Sequence, residues 1–310
     1  MFFSTFVFAG ALFFFPPVFT YAANLFQDGF ETGNLSHSEN NIHWGDSANT
    51  SVSSTIKATG AYSLAFPFNG GSLGSDAWAE QRIELNQPYT ELWVKYDLYI
   101  PSNYNHRVDS PSNNKFFALY RNPYTTPGFQ VNLSTEPNGT GGSDLEIHYY
   151  KSGSEQSPLS VTSNIITSSD YGKWMNLIMH FKAPTGSSSN DGVVELWENG
   201  TLSFSRKDMA SWGGSGQNYF DAAYILGWSN SGFSQTTTLY VDNVVLSTTP
   251  LTPSTALQGD INGDSTVNSL DWSIMNARWG TSDSAADLNH DGIVNSLDFS
   301  ILNQNWGKTQ

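Results

Sequence analysis

Alternating polar and apolar side chains dominate the chain between Asn24 and Ser247. A period of two is that of a β-strand with one buried face, and clusters of Gly, Asn, Ser and Pro separate the alternating stretches as turns would. Ten or more such strands, with no helical period between them, predict a mainly β fold, an antiparallel two-sheet sandwich of the jelly-roll type. The clearest predicted strands are Trp78–Leu85, Leu92–Ile100, Phe116–Tyr120, Phe129–Ser134, Leu145–Tyr150, Trp174–Phe181, Val193–Glu198 and Leu239–Leu246.

The overall charge narrows the partners that such a chain can have. The formal net charge is −15, with only 13 Lys and Arg among 310 residues, which argues against nucleic acid as a ligand. Cysteine is absent, so disulfides and thiol chemistry play no part. Residues 1–22 are apolar, with Thr20 and Ala22 at the −3 and −1 positions of a cleavage site, and predict a secretory signal peptide. Because the stretch lacks Lys and Arg, an uncleaved membrane anchor is the alternative.

The C-terminal segment contains one acidic loop twice. Residues 260–280 and 287–307 are identical at 13 of 21 positions. Each copy places oxygen-bearing side chains at loop positions 1, 3, 5, 9 and 12 and a backbone carbonyl at position 7, which is the spacing that surrounds one calcium ion. The predicted calcium ligands are Asp260, Asn262, Asp264, Thr266, Asn268 and Asp271 in the first loop and Asp287, Asn289, Asp291, Ile293, Asn295 and Asp298 in the second.

Position 12 of each loop is Asp rather than Glu, and a single helix follows each loop. In both respects segment 259–308 resembles a type I dockerin, a small α-helical calcium-binding domain, which here follows a Pro/Thr/Ser-rich linker at 248–258. The resemblance implies two bound calcium ions, a bacterial source, and a cohesin domain of a scaffold or cell-surface protein as the partner. It also implies that Ser269-Leu270 and Ser296-Leu297 recognise that partner.

Three stretches of the predicted β domain, residues 24–247, carry a second resemblance. They are LFQDGFETGNLSH at 25–37, DGVVELWENGTLSF at 191–204 and YILGWSNSGFSQTTTLYVDNVVLS at 224–247. They resemble the opening strand, a central hairpin and the closing strands of concanavalin A-like jelly rolls, especially heparin-lyase-like and glucuronan-lyase-like members. Because that scaffold carries lyases, glycosidases and carbohydrate-binding modules, the resemblance implies a polysaccharide ligand and leaves the activity open.

Strand alternation predicts which polar side chains share a face of the sandwich. Amide, imidazole, phenol and indole groups on one face suit a sugar-binding cleft, since aromatic rings stack on pyranose rings and amides reach hydroxyl groups. A local basic stretch at 105–121 would attract an anionic polymer to an otherwise acidic chain. The predicted substrate-binding residues are Trp78, Glu80, His106, Arg107 and Lys115.

β-Elimination from a uronate polymer needs three chemical roles. One group must neutralise the uronate carboxylate, a base must take the C5 proton, and an acid must protonate the leaving oxygen. In that order, we assign these roles to Gln130, Asn132 or Arg82, to His148 or His106, and to Tyr150.

Lyases on this scaffold carry a Gln-x-His strand, whereas this chain has Gln130-Val131-Asn132, so His148 would have to replace that histidine from a neighbouring strand. A non-catalytic carbohydrate-binding module delivered by the dockerin is therefore the competing prediction. A glycosidase ranks below both, because Glu195 and Glu198 lie on opposite faces of their strand and cannot act as a pair.

Glu31 and Asp242 are predicted to lie close together, since the first and last strands of jelly rolls are often neighbours. The resemblance implies a structural calcium ion between them, with an ordinary surface role as the alternative. For the whole chain we expect a secreted, extracellular monomer that acts on a polysaccharide.

Overall fold

Strands account for most of the regular structure in the computed structural model. It describes residues 24–124, 130–151, 154–186, 188–210, 218–251, 257–262, 266–283, 285–289 and 292–309, with the backbone alone for 150, 151 and 154–163. The predicted signal peptide lies outside the described residues. Within them, none of the helices has the length and apolar character needed to cross a bilayer.

The described elements follow the predicted order, with strands first and two short helices at the C-terminus. They are β1 (Phe26–Asp28), β2 (Trp44–Ala48), β3 (Ser51–Ser53), β4 (Ser63–Phe68), β5 (Ala77–Tyr89), β6 (Glu91–Ile100), β7 (Asn114–Tyr120), β8 (Gln130–Pro137), β9 (Ser143–Lys151), β10 (Ser154–Ile166), β11 (Lys173–Lys182), β12 (Gly192–Glu198), β13 (Thr201–Met209), β14 (Phe220–Ser229), β15 (Thr237–Ser247), α1 (Ser269–Ala277) and α2 (Ser296–Gln304).

The strands form two antiparallel sheets, which confirms the predicted sandwich. The eight-stranded sheet has the order β13-β12-β11-β6-β15-β4-β3, with β1 also paired to β15. The seven-stranded sheet has the order β10-β9-β8-β7-β14-β5-β2. Some neighbours, such as β6 and β15 or β5 and β14, are far apart in sequence, so polar residues of these strands meet only in the folded chain.

Apolar side chains from the inner faces of both sheets interlock to form one core. Phe117 of the seven-stranded sheet stacks on Phe181 of the eight-stranded sheet with ring centroids 5.7 Å apart, and Tyr96 packs against the same Phe117 at 6.2 Å. All three rings are fully buried. Burial of side chains of this size contributes roughly 1.5–3 kcal/mol each and leaves the outer faces for polar residues.

Glu198, at the end of β12, has a carboxyl group that titrates far from its usual range. Burial, assisted by the charge of Asp170, raises its pKa to about 7. A carboxyl whose pKa is raised in the folded protein stabilises folding fully below its unfolded pKa of roughly 4.3, and that contribution is lost as the pH rises through about 7. The folded β domain is therefore expected to lose stability between about pH 5 and pH 8.

Thermal unfolding of the β strands, followed by circular dichroism across that pH window, checks this expectation. Glu198→Gln should flatten the decline, because the amide does not ionise. Asp46→Asn, a matched change at an exposed carboxyl, should leave the slope as it is. Equal slopes in the two variants would contradict the role of Glu198.

The two helices begin in the same way and share a small core. Asn268 and Asn295 are the N-caps, and each accepts a hydrogen bond of 2.7 Å from the backbone two residues further on. Asp271 and Asp298 complete the two capping boxes. The buried apolar residues described in this domain are Val267, Met275, Ala286, Val294 and Leu302.

Candidate functional site

One row of side chains crosses five strands of the seven-stranded sheet on its outer side. Cross-strand partners run from Arg82 on β5 through Tyr224 on β14 and Ala118 on β7 to Asn132 on β8 and His148 on β9. Strands about 4.8 Å apart give the row a length of roughly 19 Å, enough for several sugar residues. We call the surface around this row the polar face.

His148 forms a buried pair with a carboxylate on its own strand. Glu146 Oε2 lies 2.8 Å from His148 Nε2, and about nine-tenths of each side chain is buried. Burial opposes ionisation of Glu146, but the hydrogen bond and charge of His148 outweigh it, so the pKa of Glu146 lies below its usual value. The contact with the carboxylate fixes the orientation of the imidazole ring.

Glu136 on β8 adds a second carboxyl beside this pair. Burial and the charge of Glu146 raise the pKa of Glu136 to about 7, and Ser112 Oγ donates to Glu136 Oε2 over 3.0 Å. A carboxyl that titrates near neutrality next to a histidine is a feature of acid–base sites. Alternation does not point to Glu136, because this residue lies beyond the predicted end of its strand at Ser134.

Amide side chains of β8 occupy the middle of the polar face. Tyr224 OH donates to Asn132 Oδ1 over 3.2 Å, which fixes the orientation of that amide. Gln130 Oε1 and Tyr120 OH are both buried, and among the described residues neither has a hydrogen-bond partner. Buried polar atoms are normally paired, so these two are exceptions within the described residues.

Three tyrosines that the sequence analysis did not select complete the polar face. Tyr124 packs edge to face against Tyr120 and Tyr224, with ring centroids 5.1 and 5.6 Å apart. Burial raises the pKa of all three phenols, so each is a hydrogen-bond donor at neutral pH. Tyr150 lies on β9, and its side chain is outside the described part of the structure.

Arg82 and Trp78 are held by one carboxylate at the β5 end of the polar face. Arg82 Nε donates to Glu80 Oε1 over 2.6 Å, and Trp78 Nε1 donates to Glu80 Oε2 over 3.3 Å. Glu80 thus orients a cation and an aromatic ring, which is an anchoring role rather than the predicted substrate contact. Lys115, also predicted as a substrate contact, pairs with Ser134 across β7 and β8 and adds a partly buried cation to the outer side.

His106 and Arg107 are elsewhere and stabilise a loop, so their predicted substrate contacts are not supported. His106 Nδ1 lies 2.7 Å from Ser143 Oγ, and its Nε2 lies 2.6 Å from the carbonyl of Ser112. Burial lowers the pKa of His106 to about 4. A buried ring with both nitrogens engaged cannot reach a polymer, and this removes His106 as the alternative base. The Arg107 guanidinium donates to the carbonyl groups of Gly71, Ser72 and Ser231.

Glu31 and Asp242 both bind the loop that precedes β4. Pairing of β1 with β15 confirms that the first and last strands are neighbours. Asp242 accepts hydrogen bonds of 2.9 and 3.2 Å from the backbone amides of residues 58 and 59, and Glu31 accepts bonds from those of 61 and 62. Amide donors thus occupy the oxygens that a cation would need, and no metal-binding cluster of three acidic or histidine side chains occurs in the described residues. The calcium ion suggested for this pair stays a prediction without support from these contacts.

The loops of the C-terminal domain are folded around their position-12 carboxylates. Asp271 accepts bonds from the backbone amides of residues 261, 262 and 268, and Asp298 accepts bonds from those of 289 and 295. Both carboxylates are fully buried. Carboxylate, amide and carbonyl oxygens are the ligands that calcium, a hard cation, prefers, so the residue types of both loops fit it. Asp264 and Asp291 lie outside the described residues.

Two family profiles match separate segments of the chain. The profile described as polysaccharide lyase matches residues 30–245, and the profile described as dockerin type I domain matches residues 258–305. The first match covers more than half of the chain, so the chain belongs to the polysaccharide lyase family, and its lyase domain is followed by a type I dockerin. Dockerins of this type generally bind calcium and pair with cohesins. Among curated proteins, none matches the chain in sequence.

Solved structures with the same fold include three lyases. An endo-β-1,4-glucuronan lyase from the fungus Trichoderma reesei is 14% identical, with a TM-score of 0.51 over 70% of this chain and 94% of its own. Alginate lyase vAL-1 from Chlorella virus is 11% identical, with a TM-score of 0.51 over 67% and 93%. A variant of alginate lyase Aly36B in complex with alginate tetrasaccharide is 16% identical, with a TM-score of 0.52 over 74% and 97%. At such identities the likeness shows the fold.

Proposed function

We propose that the jelly roll cleaves a uronate polysaccharide by β-elimination at the polar face, and that the dockerin, with two calcium ions, tethers it to a cohesin. The observation that carries the proposal is the in-register row that joins a cation, an amide and a carboxylate-bound histidine on one surface. The substrate class is supported by the names of the similar structures, since glucuronan and alginate are both polymers of uronic acids.

His148 is the proposed base, and Tyr150 the proposed acid. The imidazole of His148 takes the C5 proton, the C–H electrons form the C4–C5 double bond, and the C4–O bond breaks. The leaving oxygen takes a proton from the Tyr150 phenol. The products are one fragment with an unsaturated uronate at its new end and one with a new hydroxyl group.

The uronate carboxylate must be neutralised before C5 gives up its proton. Gln130 and Asn132 are the proposed amide contacts, and Arg82, at the far end of the same row from His148, supplies a positive charge for the carboxylate of another uronate along the polymer. Amide and phenol donors placed beforehand stabilise the charge that develops on the carboxylate, and they do so better in a buried site than in water.

Incubation of the purified chain with glucuronan, alginate and heparin-like polymers tests the activity. Ultraviolet absorbance of the unsaturated ends should rise with at least one uronate polymer. A chain that binds these polymers and never generates absorbing ends would contradict the lyase assignment at the polar face and favour a carbohydrate-binding module.

Arg82→Ala should lower kcat/KM by roughly 10- to 100-fold, the range expected when a hydrogen bond to a charged group is lost. Both KM and polymer retention should change, because the carboxylate is bound in the ground state and the transition state. Arg206→Ala is the matched control, since Arg206 also pairs with a carboxylate two residues away, Asp208, but lies on β13 of the other sheet. Equal losses in the two variants would contradict a substrate contact by Arg82.

Secretion and oligomeric state belong to the same proposal. Residues 1–22 are proposed to direct export and to be removed, giving a mature monomer. N-terminal sequencing of the exported protein should begin at Ala23, and light scattering should give the mass of one chain. Retention of residues 1–22 would instead support the membrane anchor.

A further inference from the structure

Two tryptophans lie side by side on the outer side of the seven-stranded sheet, beyond the row at the polar face. Trp78 on β5 and Trp228 on β14 are direct cross-strand partners, with ring centroids 5.8 Å apart and an interplanar angle of 46°. Each is 42% exposed, whereas Asn132 and His148 in the row are almost fully buried. Adjacent exposed indoles form an apolar patch that is continuous with the candidate active site.

Carboxylates accept hydrogen bonds from the indole N–H groups of both rings and so fix the ring orientations. Trp228 Nε1 donates to Asp76 Oδ2 over 3.0 Å, and Trp78 Nε1 donates to Glu80 Oε2 over 3.3 Å. Glu80 also binds Arg82, so one carboxylate links the tryptophan pair to the row. Rings held in place before a ligand arrives lose little conformational entropy on binding.

The distance between the pair and the row sets what the pair can contact. Trp78 precedes Arg82 by four residues on β5, which corresponds to about 13 Å along a strand. His148 lies on β9, three strands from Trp228 on β14, so the indoles cannot touch the sugar whose bond is cleaved, but they can reach sugars further along the same polymer chain. The carboxylates of Asp76 and Glu80 disfavour a uronate carboxylate beside them, so contact falls to the apolar face of a pyranose ring.

We propose that Trp78 and Trp228 form a stacking subsite for pyranose rings of the bound polysaccharide, remote from the bond that is cleaved. The choice of a uronate polymer rests on the proposed function. The stacking itself rests on the exposure, pairing and fixed orientation of the two rings. The subsite favours long polysaccharide chains, because a short oligosaccharide bound at the row does not extend to the two indoles.

The dependence of KM on the length of the polysaccharide substrate tests the subsite. Trp228→Ala and Trp78→Ala should each raise KM for the polymer by roughly ten-fold at unchanged kcat, which is the effect of losing one aromatic stacking contact. KM for uronate trisaccharides should stay as in the wild type, and Trp228→Phe should restore most of the affinity for polymer. An equal rise for trisaccharide and polymer, a fall in kcat alone, or no change would overturn the proposal.

Trp197→Ala is the matched control, because Trp197 stacks on Trp93 at 5.5 Å on the opposite sheet. It should leave all these values unchanged, and a rise in KM like that of Trp228→Ala would overturn the proposal.

Electrophoresis through gels that contain glucuronan or alginate measures polysaccharide binding independently of catalysis, as retardation of the protein. The wild type should be retarded, and Trp228→Ala should be retarded less, whether or not unsaturated ends appear. If no unsaturated ends form, the proposed lyase function fails, and reduced retardation of the variant still supports the subsite. Equal retardation of variant and wild type, or a wild type that neither polymer retards, would overturn the subsite.

Discussion

Replacement of His148 by alanine should lower the rate at which unsaturated ends appear by about 10²- to 10⁴-fold, the usual contribution of a general base. Retention by the polymer should change little, because the carboxylate contacts at Gln130, Asn132 and Arg82 remain. Tyr150→Phe should have an effect of similar size, since it removes the proposed proton donor. Initial rates at saturating polymer, with retention measured in parallel, check both expectations.

His180→Ala is the control that separates chemistry from the loss of a structural histidine. His180 is as buried as His148 and lies 2.9 and 2.8 Å from Glu195 and Glu91, but it is on the outer side of the eight-stranded sheet. Its replacement should leave turnover near the wild-type value. Comparable rate losses in the two variants would contradict catalysis by His148.

Glu146→Gln should retain part of the activity and change its pH dependence. The amide can still contact the imidazole, but it removes the negative charge that stabilises the protonated ring. The limb of the kcat profile that reports the base should therefore move to lower pH. An unchanged profile would show that Glu146 does not act through His148.

Periodicity predicted the fold because each strand carries its own signal. All eight strands named from the sequence are present, yet β5 extends from Ala77 to Tyr89, well past the predicted Trp78–Leu85. The extra residues, such as Asn86 and Gln87, are polar and exposed, so no alternation marks them. Pairing with neighbouring strands, which a local pattern does not contain, sets where a strand ends.

The sequence predicts which residues of each strand point outward, but it does not predict which strands lie side by side to form the polar face. Alternation placed Arg82, Asn132 and His148 on outward positions, and the structure joins them in one row. Tyr224 enters that row because β14 lies between β5 and β7, an order that follows from the topology of the whole sheet. His106 failed as a prediction for the opposite reason: a polar residue in a basic loop gives no sign that its own loop will bury it.

The dockerin repeats contact each other reciprocally. Gly280, after the first helix, donates its backbone N–H to the carbonyl of Val294 in the second loop, and Gly307, after the second helix, donates to Val267 in the first, both over 2.8 Å. Each helix end is thus bound to the calcium loop of the other repeat. Loss of order in one loop should therefore disturb both halves.

Removal of calcium should unfold the dockerin while the β domain stays folded. Among its described residues the domain has a core of five buried apolar side chains, too small to offset the repulsion among its loop carboxylates, so ion binding supplies much of its folding free energy. A chelator should abolish the helical circular dichroism and cohesin binding of the full chain and expose its C-terminus to protease. Helical signal and protease resistance that persist in chelator would contradict this.

Calorimetry should resolve two calcium affinities, with the second loop the tighter. Gly292 has a backbone φ of 92°, a conformation that favours glycine, whereas the first loop has Ser265 at the equivalent position. Asp287→Ala should therefore remove the tighter site, and through the reciprocal contacts it should weaken the remaining one. Asp260→Ala should remove the weaker site, with a smaller loss of helical signal than Asp287→Ala. Two equal affinities, or loss of the tighter site in the Asp260 variant, would contradict the assignment.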